Sequence, residues 1–386
     1  MAHDGGTHSG AVTALRIDEF VGSQGLECIA DDFRDLFARM GKRSFVHSLG
    51  WHRAFVAHLS ERADDVRFYV FRRGTHVCAI VALRAGSAAK WVRVRRSSLL
   101  THRHATLSDA LVAPGENIDD VVGALAGRVG AGALASIIEL PNLIAGRSAL
   151  GALQERAGAR DAPRLLVEAV GASAWFDTTS RAAALAGVSS HARRNLGRQR
   201  RRLEEMGAVV VERLVGVRAA EEGVDRFVAL EASGWKGAAG SAIRMHPRLL
   251  GFYRSLAREL DSCPSVVVYL LHVAGRVVAG SFCIELDDTL HVLKIAYDED
   301  LRAAAPGNRL LDHMLDEAAG REALRRVSLV TSPPWAQRWG ARNDELRRVL
   351  VFPPGLRGTL LLTALRLRRR LRGRSLAGQG EAHSVP

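Results

Sequence analysis

Three segments of this chain recur in the same order at an offset of roughly 190–200 residues, and this limits the possible folds more than any single motif does. Arg67–Ile80 reads as two apolar strands around a glycine turn, and Val266–Gly280 repeats that shape with Gly275 in the turn. Ala113, Pro114 and Gly115 precede a helical pattern, as do Ala305, Pro306 and Gly307. Ser136–Asn142 and Val327–Pro333 are short apolar strands that end in polar, proline-containing loops. A chance match of one segment is easy; three in order are harder to dismiss. The chain therefore reads as a duplicated α/β unit.

Length agrees with a duplication, since 386 residues fit two domains of roughly 150–200 residues each. The expected organisation is a disordered leader over 1–14, a first domain over 15–160 and a second over 161–352. The second includes an arginine-rich helix at 189–206, and a basic amphipathic helix with a disordered tail fills 353–386. Helical periodicity is present in both copies, at Phe33, Leu36, Phe37 and Met40 and at Leu249, Phe252, Tyr253 and Leu256. A composition of 47% hydrophobic and 25% charged residues is that of a globular chain. No run reaches the roughly 18–20 apolar residues that span a bilayer. The polar leader has no apolar segment of the secretory kind. Cys28, Cys78, Cys263 and Cys283 are scattered and form no close pair, and Cys78 and Cys283 sit in apolar runs, as buried small residues in a reducing compartment would. The expectation is a cytoplasmic protein, with peripheral attachment at the inner membrane face as the alternative. A net charge of +13 attracts anions, whether nucleotide phosphates, nucleic acid or anionic lipid.

Several phrases of the second half carry a resemblance. They are Ser189–Gly207 with its arginines, Glu231–Gly237, Ala279–Phe282, Lys294–Glu299 and Ala305–Gly307. Together they resemble GNAT-like acyltransferases related to the Fem peptidyltransferases, of the branch found in cellulose and exopolysaccharide biosynthesis loci. The resemblance spans about 180–340 and is weaker over the first half. It implies two tandem GNAT-like α/β domains, each a mixed sheet with flanking helices. It also implies transfer of an acyl group, acetyl in the simplest case, from acyl-CoA to an amine or hydroxyl, with no metal. Of the phosphate-loop pattern Arg/Gln-x-x-Gly-x-Gly/Ala, one glycine remains here.

Acyl transfer from a thioester needs an anchor for the donor's pyrophosphate, donors for the carbonyl oxyanion, and a route for the acceptor's proton. Pro306, Gly307, Asn308 and Arg309 lie between a strand and a helix, where free amides and the macrodipole favour a phosphate. Arg302 is a further cation beside them. An ordinary strand-to-helix turn has the same composition. Lys294, Tyr297 and Asp298 stand near the end of a strand, where sites in α/β folds open; a lysine paired with Asp298 or Glu299 is the structural alternative. Glu231 is a candidate general base beside Trp235 and Lys236, which are candidate substrate contacts, and His246 is a secondary base candidate. Arg193 and Arg194 belong to a cationic helix face that suits solvent, an anionic substrate or tRNA. Trp335 lies in a proline-rich loop, as a saccharide or acyl platform or a packing anchor. The Leu/Arg pattern over 355–372 suits an anionic membrane surface or docking on the chain's own domain.

Three functions fit. The first is a GNAT-like N- or O-acyltransferase that uses acyl-CoA on a small molecule, saccharide or polysaccharide precursor. The second is a Fem-like transferase that takes its aminoacyl group from charged tRNA. The third is a non-catalytic basic scaffold in envelope polysaccharide synthesis. Acceptor, acyl length and oligomeric state are not written in the sequence.

Overall fold

The computed structural model describes residues 14–86, 94–130, 135–155, 162–234, 237, 239–260 and 263–380. Of the disordered leader expected over 1–14, residues 1–13 lie outside the described residues, as do residues 381–386 of the expected disordered tail. The first half runs β1 (Leu15–Val21), α1 (Gly22–Cys28), α2 (Ala30–Arg39), α3 (Leu49–His58), β2 (Val66–Arg73) and β3 (His76–Ala85). It continues with β4 (Val94–Leu99), β5 (Leu111–Val112), α4 (Ile118–Gly130) and β6 (Ala135–Ile144). A long strand β7 (Arg164–Asp177) leads to α5 (Arg181–Ala184), α6 (Ser190–Glu205), β8 (Val209–Val215), α7 (Val224–Ser233) and α8 (Pro247–Glu259). Then come β9 (Ser265–Val273), β10 (Arg276–Leu286), β11 (Thr289–Tyr297), α9 (Pro306–Ala319) and β12 (Arg326–Ser328). The chain ends with α10 (Pro334–Arg338), β13 (Arg342–Phe352) and α11 (Gly355–Gly380).

Among the described residues all strands join one mixed sheet, in the order β1-β2-β3-β4-β6-β13-β7-β12-β11-β10-β9-β8, with β5 beside β3. The middle of that order is a reciprocal exchange. β7 follows the first copy in the chain yet pairs with β12 of the second, from Asp177↔Arg326 to Trp175↔Ser328. β13 follows the second copy yet pairs with β6 of the first. The two exchanged strands pair with each other from Arg164↔Phe352 to Trp175↔Arg342. Each half thus completes the sheet of the other.

On one face of the sheet a single apolar core spans both halves. It takes Phe33, Phe55 and Phe68 from the first and Phe227, Phe252, Tyr253 and Phe282 from the second, all fully buried. The helix periodicities explain this: α8 turns Leu249, Phe252, Tyr253 and Leu256 inward, each worth roughly 1.5–3 kcal/mol of burial. The helices α3 and α8 meet there at glycines. A Cβ on Gly251 would stand 2.6 Å from His58 Nδ1, so only glycine allows this approach. On the opposite face the cores are separate, one under α4 with Leu125 and Phe71, the other under α6 and α9 with Leu203, Leu310 and Met314. The start of α11 docks through Leu361, Leu362 and Leu365 on Leu166, Leu350 and Phe352. Among the described residues no helix is long and apolar enough to cross a membrane.

Candidate active site

The strands β11 and β12 run parallel but pair over only three residues, Thr289–His291 against Arg326–Ser328. β12 stops because the chain turns at Val330, whose φ of 63° is left-handed. The Val330 amide donates to Ser328 Oγ at 3.3 Å, and the Leu329 amide donates to the Ala174 carbonyl of β7 at 2.8 Å. Among the described residues β11 runs on to Tyr297 with its β12-side edge open from Val292, a row of backbone donors and acceptors without strand partners. A register shift at Phe282/Cys283 makes Leu293 an extra residue in β11, which locally bends that strand. The wedge holds a cleft of about 380 Å³. Its lining is apolar along Leu310, Leu311, Met314 and Leu329, and polar or cationic at Ser281, Tyr297, Arg302, Asn308 and Arg338.

The N-terminus of α9 opens into this cleft. A 3-10 segment, Glu299–Ala304, follows β11, and Ala305 takes the left-handed conformation at φ 48° just before Pro306. The amides of Asn308 and Arg309 turn back to the Ala305 carbonyl at 3.0 and 3.3 Å, and Pro306 has no N–H. The first-turn amide of Gly307 stands too early in the helix for an intrahelical acceptor. No side chain caps this end and no acid lies in its first turn, so its partial positive charge is not neutralised from within the helix. A Cβ on Gly307 would meet the Tyr297 ring at 3.7 Å, an ordinary contact. The fold therefore has room for a side chain here, and the space in front of the helix is free. The helix α6 braces this end. Asn308 Nδ2 donates to Gln199 Oε1 at 3.1 Å, and Arg202 donates to the Ala303 carbonyl at 3.1 Å.

The structure gathers some of the expected residues and disperses others. Tyr297, Gly307, Asn308 and Trp335 all line the cleft, while Pro306 starts the helix facing it. Arg309 lies one turn in, near Asp312 at 3.8 Å. Asp298 does not face the cleft lining: it is buried, ion-paired with Arg276, and accepts the Asp300 amide at 3.1 Å to start the 3-10 segment. Lys294, half-buried and paired with Phe282 of β10, is not among the residues that line the cleft, and its charge acts on His102 of the first half. Burial, with the charges of Arg103, Arg84 and Lys294, lowers the pKa of His102 there. Glu231 is a buried residue of α7 that accepts the Ile243 amide at 2.8 Å, fastening the start of the next segment. Trp235 and Lys236 lie outside the described residues. His246 Nε2 is 3.1 Å from the Gly240 carbonyl. Arg193 folds back on the Leu185 and Val188 carbonyls at 2.8 and 3.2 Å, whereas Arg194 is exposed on α6.

Two cleft residues and one that braces the cleft escaped the sequence reading as contributors. Arg338 comes from α10, Ser281 from the middle of β10, and Gln199 holds Asn308 from α6. The Pro333-Pro334 pair marked a loop but not the one-turn helix that brings Arg338 to the wedge. Among the described residues no cluster of His, Cys, Asp and Glu could hold a metal ion.

Comparison with known proteins bears on the same region. Residues 190–341 match the acetyltransferase (GNAT) domain family. Two solved structures are similar over most of their length. A conserved protein of unknown function from Bacteroides thetaiotaomicron aligns at 11% identity, over 84% of this chain and 97% of that one, with a TM-score of 0.54. FemX aligns at 12% identity, over 83% and 95%, with a TM-score of 0.54. At that identity the likeness is one of fold, and with the family match over 190–341 the fold is the GNAT fold, a large mixed sheet with flanking helices. No curated protein matches the chain.

Proposed function

We propose that this chain, with its GNAT-type second half, transfers an acyl group from acyl-CoA to an amine or hydroxyl, acetyl to a saccharide acceptor being the simplest case. The observation that carries this reading is the β11/β12 wedge closed at one end by the uncapped α9 helix. The diphosphate of the donor would sit on the Gly307 amide, with Arg302 and Arg338 supplying charge-assisted hydrogen bonds. The open β11 edge, beginning at Val292, would pair with the amide-bearing arm of the donor as an added strand does. It would also offer an N–H to the thioester oxygen as negative charge develops there. The acceptor nitrogen or oxygen attacks the carbonyl carbon, the C–S bond breaks, and the thiolate leaves. The proton released by the acceptor ends on that thiolate, and the Tyr297 hydroxyl is the cleft group proposed to deliver it.

Calorimetric titration with acetyl-CoA and longer acyl-CoAs tests the donor directly. Binding with a 1:1 stoichiometry, weakened roughly ten-fold or more by Arg302→Gln or Arg338→Gln, is the expected result. Absence of acyl-CoA binding by the folded protein overturns the reading.

One observation favours a second donor. Arg194, Arg198 and Arg201 fall at i, i+4 and i+7 on α6 and are exposed, and none has an acidic partner among the described residues. A cationic stripe beside the cleft suits the phosphates of an aminoacyl-tRNA. Binding of tRNA whose salt dependence falls when these three arginines become glutamine would support it. Acyl-CoA binding that ignores those substitutions would favour the first reading.

A further inference from the structure

The C-terminal helix α11 carries two apolar stripes, and its docking uses only one. Leu361, Leu362 and Leu365 pack on Leu166, Leu350 and Phe352. At 100° per residue Leu356, Leu360 and Leu367 fall within about 40° of one another on the other side of the helix. They are 79%, 69% and 57% exposed. Three large apolar side chains aligned on an outward helix face cost solvation unless something covers them.

The charge around them says what does. The helix holds Arg357, Arg366, Arg368, Arg369, Arg370, Arg372 and Arg374 and not one carboxylate. Arg357, Arg366 and Arg368 are exposed, and Arg366 reaches Glu155, so its neighbourhood is anchored to the body of the protein. A second copy of this helix would repel it, and a purely polar polyanion would leave the leucines in water. An anionic lipid surface meets both needs, since acyl chains take the leucines and headgroup phosphates take the guanidinium groups. The arginines also keep the helix from inserting across a bilayer, and among the described residues no helix is long and apolar enough to cross one.

We infer that α11 is a lipid-surface helix, docking the protein on anionic membranes through Leu356, Leu360 and Leu367 with the arginines as flanking contacts. The sheet side of the helix stays folded on β7 and β13, so the membrane meets a preformed face. This inference does not depend on the proposed acyl transfer.

Flotation of the full-length protein with phosphatidylcholine vesicles, and with vesicles that also contain phosphatidylglycerol, tests it. The expected result is flotation with the second kind alone. It should be lost in Leu356→Ser/Leu360→Ser/Leu367→Ser and weakened roughly five-fold for each arginine lost in Arg357→Gln/Arg368→Gln. All substituted side chains are exposed, so circular dichroism and acyl-CoA binding in the absence of vesicles should match the parent protein. No flotation on anionic vesicles overturns the inference. So does an unchanged affinity in the leucine variant, which would mean a non-specific charge effect, or RNA binding through these arginines with no lipid binding.

Discussion

The two halves of this protein build the same strand-to-helix corner and finish it with opposite electrostatics. In the second half β11 and β12 part after three residue pairs, and α9 points a capless, acid-free N-terminus into the gap. In the first half β4 and β6 stay paired from Val94↔Ala135 to Ser98↔Glu139, so no wedge opens at that position. The helix α4 there begins with Asp119 and Asp120, and the Asp119 amide is taken by Asn117 Oδ1 at 3.0 Å. Glu116 of the same turn is held by Arg73. Carboxylates neutralise that helix end, and a phosphate would be repelled by them. The duplicated scaffold thus separates two tasks. One copy closes its ladder and supports the shared core, and the other leaves its ladder open and its helix end bare.

The largest effect that probes this division is on folding, because the halves exchange β7 and β13. Ending the chain after residue 341 removes the strand that pairs with both β6 and β7. It also strips Phe352, Val349 and Val351, all buried, from the cores. That burial loss is comparable to the whole stability of a domain, roughly 5–15 kcal/mol. The expected outcome is no cooperative thermal transition in circular dichroism for 1–341, and the same for 1–160 expressed alone. A cooperatively folding 1–160 would show that the first copy does not need its borrowed strand.

Next in size is the conversion of the second corner into the first. Gly307→Glu places a carboxylate in the first turn of α9, where the space is free and where an acid favours the helix. The protein should fold at least as well as before, while acyl-CoA affinity falls roughly a thousand-fold, about 4 kcal/mol, from a lost charge-assisted contact and added repulsion. Gly307→Ala, which adds only a methyl group, separates steric from electrostatic loss. Unchanged titration curves in both variants would move the donor site elsewhere.

How far the sequence leads differs between these two features. The hairpins, the turn at Gly275 and the Pro306-Gly307 corner were legible because each has a local signature: turn residues, strand alternation or a helix start. The exchange of β7 and β13 was not, since strand partners far apart in the chain leave no local mark and the two strands read alike. Burial of Glu231 and Asp298 was also hidden. A glutamate in an amphipathic helix and an aspartate after a strand look like surface acids until Ile243 and Arg276 are placed beside them. Arg193 stood out as part of a cationic face, yet its guanidinium is used locally on two carbonyls. In the same run, Arg194 is left facing outward.

Each half also hides a neutral histidine, and acid should find both. Burial lowers the His52 pKa to about 4, partly offset by its contact with the Ser48 carbonyl at 2.9 Å. Burial, with Arg147 and Arg326 nearby, lowers that of His291 to about 3. In the unfolded chain each titrates near 6.5. Below that pH the unfolded state binds protons that the folded state refuses, so stability is full above about 6.5 and falls towards pH 4. The full loss is on the order of 3–5 kcal/mol per histidine. Urea unfolding at a series of pH values should show a shallower acid slope in His52→Gln and in His291→Gln. An unchanged slope would place the acid sensitivity in other groups.

The smallest expected effect is the most discriminating control on the comparison. Asp119→Asn/Asp120→Asn removes the acids from the first turn of α4 without opening the β4/β6 ladder. If charge at the helix end were the only difference between the corners, the variant would gain a second acyl-CoA site. If the wedge is needed as well, the stoichiometry stays at one and transfer changes less than about two-fold. Stability should drop only by roughly 0.3–1 kcal/mol for each lost helix-dipole contact. The ladder decides between these outcomes. With five parallel residue pairs to β6, β4 is laddered to Ser98, one residue short of its end, and offers the amide-bearing arm of the donor no open edge like that of β11. A bare helix end alone contributes too little to hold a ligand of that length, so the expected stoichiometry is one.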